Sequence, residues 1–180
     1  MGNGWYKEGK LTKKQNTFLD FISAAEYLIK EQYTTSSQLS IYGRSAGGLL
    51  IGAVVNMRPE LFRSALVEVP FVDVLNTMFD PSIPWTMFEY EEWGNPNDYD
   101  IYQCMKMYCP YSNISGERIA QNIYPDMLIV GGMNDPRVGK FNHPIFDLSS
   151  SKSLFRAIKM GCQNERGKRK ASIEIKSSNK

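Results

Sequence analysis

Gln38-Leu39-Ser40-Ile41-Tyr42-Gly43-Arg44-Ser45-Ala46-Gly47-Gly48-Leu49-Leu50-Ile51-Gly52-Ala53-Val54-Val55-Asn56-Met57 is the stretch on which the reading of this chain turns. Its first part, Gln38 to Gly43, is rich in Leu, Ile and Tyr and predicts a short strand. Its last part, Leu49 to Met57, is an apolar run that predicts a helix stopping ahead of Pro59, because proline disfavours helical geometry in the residue before it. Between them Gly43-Arg44-Ser45-Ala46-Gly47-Gly48 requires a sharp turn. The spacing Gly43-x-Ser45-x-Gly47 on a strand-turn-helix frame is that of a nucleophile elbow, where small neighbours keep side chains clear of an exposed serine. The following helix aims its N-terminus at that serine, and the Ala46 N–H is placed to donate to a developing oxyanion. The plainer alternative is a Gly/Ser surface turn ahead of a helix.

Working outward, Phe18, Phe21, Ile22, Ala25, Leu28 and Ile29 recur at the spacing of an amphipathic helix, with Asn16 or Thr17 available to cap it. Lys7 to Lys14 reads as a charged, irregular surface turn. Ala65 to Val69, ended by Pro70, and Met127 to Val130, ended by Gly131-Gly132, predict two more strands. Short strands alternating with helices imply a parallel sheet, so the expected class is α/β, and with the elbow at Ser45 an α/β-hydrolase fold with helices flanking the sheet. Asp80 to Asp100, dense in Pro, Trp, Tyr and Glu, reads as a structured excursion of the kind that carries function. Residues 1–160 form the expected domain. Residues 161–180, with Arg166, Lys168, Arg169 and Lys170, read as a basic, poorly ordered tail in which Ile173 and Ile175 alternate as in a terminal strand.

A serine hydroxyl needs a base, usually a histidine oriented by a carboxylate, and on this fold the chain order is serine, acid, histidine. Asp135, in the loop after the third expected strand, is the favoured acid, and Asp73, after the second, competes with it. His143 is the sole histidine. It comes too soon after Asp135, because a return to a parallel sheet takes a crossover of a dozen or so residues. The stretch where the base is expected, 163–176, offers only Lys, Arg, Glu and small polar residues, which leaves the triad open. Glu89, Glu91 and Glu92 lie between Trp85 and Trp93. On an extended segment Glu89 and Glu91 share a face and form a paired carboxylate for a basic side chain.

Composition narrows the classes. The 180 residues are 42% hydrophobic with a net charge of +2, enough apolar content for one core and no general field for nucleic acid. No stretch approaches a membrane span and no leader is visible. Cys104, Cys109 and Cys162 lack the spacing of a disulfide framework or a zinc site, a reducing compartment fits, and no cofactor is expected.

Gly43-Arg-Ser-Ala-Gly-Gly, Asn56-Met-Arg-Pro-Glu-Leu-Phe, Val69-Pro-Phe-Val-Asp-Val, Asp80-Pro-Ser-Ile-Pro, Glu91-Glu-Trp-Gly-Asn-Pro and Asn134-Asp-Pro-Arg-Val together resemble oligopeptidase B, in the prolyl oligopeptidase family of serine peptidases. The resemblance runs from about Trp5 to about Met160, which implies a partial α/β-hydrolase domain truncated at both ends. It implies a cytoplasmic endopeptidase that cuts short peptides after Lys or Arg, with a catalytic domain capped by a β-propeller. By position it makes Ser45 the nucleophile, Ala46 the backbone oxyanion donor, Asp135 the triad acid, Glu89 and Glu91 the holders of the basic side chain, and Arg137 a binder of a substrate carbonyl. The tyrosine that gives the family its second oxyanion donor and the loop bearing its histidine fall outside the resemblance. Without a base the isolated chain is expected to be inactive. The alternative is a non-catalytic fragment that binds basic peptides or a partner.

Overall fold

Four parallel strands lie side by side in the order in which the chain makes them: β1 (Ser40–Arg44), β2 (Ser64–Glu68), β3 (Asp126–Gly132) and β4 (Arg156–Met160). The structure is a computed structural model, and it describes residues 2–132 and the backbone of 156–160. Ser40 pairs in register with Ser64, Ser64 with Asp126, and Leu128 with Arg156. The first three strands fall where the apolar runs put them, shifted by one or two residues. β4 has no counterpart in the sequence reading, and Ile173 and Ile175 lie outside the described residues, as does the rest of 161–180.

Along β1 and β2 exposure alternates, with Ile41, Gly43, Ala65 and Val67 buried and their neighbours half-buried or exposed. Met127 and Ile129 continue the buried face on β3. The seven helices that the described residues form are α1 (Asn3–Glu8), α2 (Gln15–Lys30), α3 (Ala46–Met57), α4 (Val74–Phe79), α5 (Thr86–Glu89), α6 (Tyr99–Tyr108) and α7 (Gly116–Ala120). α3 lies on β1 and β2 and α2 packs on α3, so Leu49, Ile51, Val54, Phe18 and Ile22 join the strand side chains in one core. Because α3 is covered on most of its surface, it reads as apolar nearly all round, whereas α2 keeps an exposed side.

Asn16 and Thr17 do not cap α2. Lys14 precedes it, while Asn16 Nδ2 donates to the Glu8 carbonyl and Thr17 Oγ1 to the Gly9 carbonyl, tying α2 to α1. The stretch read as a surface turn is therefore a short helix, α1, and a single 3-10 turn over Leu11–Lys13, and it ends in a buried lysine. No helix among the described residues is long and apolar enough to cross a membrane.

Candidate active site

Ser45 ends β1 and starts α3. Its N–H donates to the Glu68 carbonyl, extending the ladder by one residue, while its own carbonyl already accepts from the N–H groups of Gly48 and Leu49. One residue thus serves strand and helix at once, which forces φ to 55° and ψ to −117°. A non-glycine residue there carries about 1–3 kcal/mol of strain that the surrounding structure must hold. Two glycines permit it. A methyl group at Gly43 would come within 2.2 Å of the Gly47 carbonyl oxygen, and one at Gly48 within 2.7 Å of Pro70. Gly47 faces open space among the described residues, so its part is to keep the approach to Ser45 clear rather than to allow close packing. The Ser45 side chain makes no capping bond and is exposed, as is Ala46, whose N–H belongs to the first helical turn and has no intrahelical acceptor.

In front of Ser45 lies a cavity of about 290 Å³ lined by Ser45, Ala46, Phe71, Thr86, Glu89, Glu92 and Trp93, with Met78, Ile83 and Pro84 among the apolar remainder. Its acidic wall is helical. Trp93 N–H donates to the Glu89 carbonyl at 2.9 Å and Gly94 N–H to the Tyr90 carbonyl at 2.9 Å, so the coil of α5 continues to Gly94, where φ of 95° stops it. The extended segment that would align Glu89 with Glu91 is not formed. On a coil, positions three and four apart share a side, and Glu89 faces the cavity with Glu92 and Trp93. Glu91 is turned away, its side chain 79% exposed and its Oε1 3.2 Å from Lys10 Nζ. Glu92 is thus a cavity residue that sequence reasoning passed over, although Gly94 marked the end of a coil whose i, i+3 pairing would have found it.

Glu89 Oε2 accepts from Trp93 Nε1 at 2.9 Å, and Trp93 packs against Phe71 at a tilt of 59° with ring centroids 5.6 Å apart. Thr86, Phe71 and Trp93 are buried, and Glu89 and Glu92 are the charged residues of a lining that mixes apolar side chains with Ser45, Thr77 and Thr86. Asp73, the competing acid of the sequence reading, is buried and caps α4, accepting from the Asn76 N–H and Asn76 Nδ2; it does not line the cavity. Asp135, Arg137, His143 and Cys162 lie outside the described residues.

A parallel sheet whose β1 runs through a strained serine into a helix, at the carboxyl ends of the strands, is the frame of the α/β hydrolases. The Prolyl oligopeptidase family model matches residues 1–145. The chain belongs to that family, a family of serine peptidases. It is 51% identical over 141 residues to Protease 2 of Moraxella lacunata, a match covering 78% of this chain and 20% of that one. Oligopeptidase B from Leishmania major superposes with a TM-score of 0.76 at 46% identity, over 88% of this chain and 22% of its own. Oligopeptidase B from Trypanosoma brucei, solved with covalently bound antipain, gives 0.77 at 46% identity over the same shares. The chain therefore spans about a fifth of the length of these relatives.

Proposed function

We propose that these residues are the nucleophile side of a serine endopeptidase that cleaves short peptides after Lys or Arg. Ser45 Oγ attacks the carbonyl carbon, the Ala46 N–H steadies the oxyanion, the amine leaves, and water then releases the acyl group from Ser45. Asp135 orients the base and Arg137 holds a substrate carbonyl. The observation that carries the reading is the shared cavity: a strained, exposed serine and the carboxylate of Glu89 line one pocket of side-chain size. Glu89 receives the basic side chain, and Glu91 joins it only when released from Lys10. The site acts in a reducing, cytoplasmic setting.

The base is the open position of this reading. His143 is the one histidine, close behind Asp135, and the 180-residue chain alone does not turn peptides over. A fluorophosphonate probe leaves Ser45 of the isolated chain unlabelled, whereas the native protein that carries these residues is labelled at Ser45 and hydrolyses arginyl and lysyl peptide amides in preference to norleucyl ones. Labelling that survives Ser45→Ala, or equal rates on the neutral and basic substrates, overturns the assignment.

A further inference from the structure

Behind the acidic wall of the Ser45 cavity stands a lysine from the early part of the sequence, 78 positions before Glu92. Lys14 is 7% exposed, its Nζ lies 2.5 Å from Glu92 Oε1, and it sits over the Trp93 ring at 4.6 Å from the centroid. Both partners line the cavity, and Trp93 in turn donates to Glu89. A carboxylate and an aromatic face are what a pocket uses to bind a cationic side chain, and here a lysine of the protein itself occupies them from the rear. A buried cation so close to Glu92 cancels most of the charge that Glu92 would present to a ligand, since opposite charges in contact are weakly screened away from water.

We propose that Lys14 is a positioning residue that sets the charge of this cavity: it neutralises Glu92 and fixes the Trp93 indole, so that Glu92 adds no charge of its own for a ligand. This rests on the reading of the cavity as the receptor of a basic side chain. With the lysine charge removed, Glu92 attracts a cation, and the cavity gains affinity for cations. With Glu92 neutralised instead, the lysine charge is left bare in the wall and repels them.

The test is binding of benzamidine, a monocation, and of neutral benzamide to the native protein that carries these residues and to four variants of it, followed by calorimetry at one pH. Lys14→Met binds benzamidine about tenfold more tightly, Glu92→Gln about tenfold more weakly, the double variant returns to within about threefold of the unchanged chain, and Lys14→Arg matches it. Benzamide binding stays level throughout. If Lys14→Met does not fold, the comparison of Glu92→Gln with Lys14→Arg, which both retain the buried cation, decides the matter by the same criterion. Equal benzamidine affinity across the variants, or parallel changes for benzamide, overturns the role of Lys14 and leaves the basic-side-chain reading standing. Absence of benzamidine binding in every chain overturns both.

Discussion

At Ser45 the backbone is asked to end a strand and begin a helix in one residue, and the cost falls on its neighbours as much as on itself. Gly43 and Gly47 occupy the two glycine positions of the same motif, yet they do different work. The Gly43→Ala methyl group would strike the Gly47 backbone and Ile51 Cγ1 at 2.6 Å, so α3 has to shift off β1, at a cost of about 3 kcal/mol. The Gly47→Ala methyl group meets none of the described residues and lies inside a helix, where alanine is favoured, so stability changes by less than about 1 kcal/mol and in the direction of a gain. Urea unfolding of the two variants separates these outcomes; equal losses would mean that the elbow is not held by the Gly43 contact.

Among the elements, α4 depends most plainly on one side chain. Asp73 accepts from the Asn76 N–H, as an N-cap should, and it is 3% exposed. Asp73→Ala is expected to lower stability by about 1–2 kcal/mol, and Asp73→Asn to keep most of it, when midpoints of thermal unfolding are compared. α4 carries Met78 at the cavity edge, so the alanine variant loosens one wall of the site as well. The same residue shows where sequence reading reached its limit. The order of strand, elbow and helix around Ser45 was legible because each element announced itself locally, through apolar runs, small turn residues and a following proline. Asp73 was legible as a carboxylate after a strand, but capping and catalysis use the same residue type at that place, and only the bond to Asn76 distinguishes them. Glu89 and Glu91 were paired on the assumption of extended backbone. The coil ending at Gly94 undoes that shared face, and Glu92 rather than Glu91 lines the cavity beside Glu89. Lys14 was invisible to any local pattern because its partner lies far along the chain, and the burial of a lysine is decided by that partner.

For the molecule as a whole, the alkaline range is the informative one. Tyr108 packs its ring on Phe18 at 5.1 Å, is 1% exposed, and its hydroxyl has no hydrogen-bond partner among the described residues. Burial, reinforced by Cys104, Cys109 and Glu92, pushes its phenol well above the usual range, and burial alone raises the Cys104 thiol. Groups whose folded pKa is raised lend stability that is complete below their unfolded values, 9.0 for the thiol and 10.0 for the phenol, and that drains away as pH climbs past them. Stability should therefore hold to about pH 9 and fall beyond it. Tyr108→Phe, by removing a buried hydroxyl that has no partner among the described residues, is expected to gain about 1 kcal/mol at neutral pH and to flatten part of the alkaline decline, as urea midpoints from pH 7 to 11 would show. A loss at neutral pH would reveal a partner for that hydroxyl.

Strand order that equals chain order has a consequence in time. During synthesis β1 and β2 can close on each other as soon as Glu68 emerges, and every cavity residue up to Trp93 follows soon after. The next strand begins only at Asp126, and at roughly 5–20 residues per second the ribosome takes about 3–12 s to deliver it. For those seconds the growing molecule holds a finished elbow beside a bare strand edge along Ser64–Glu68, the kind of edge on which another chain can pair. The interval between a formed serine turn and a covered β2 is thus a window of vulnerability in the birth of this protein, and its length is written into the number of residues between Glu68 and Asp126.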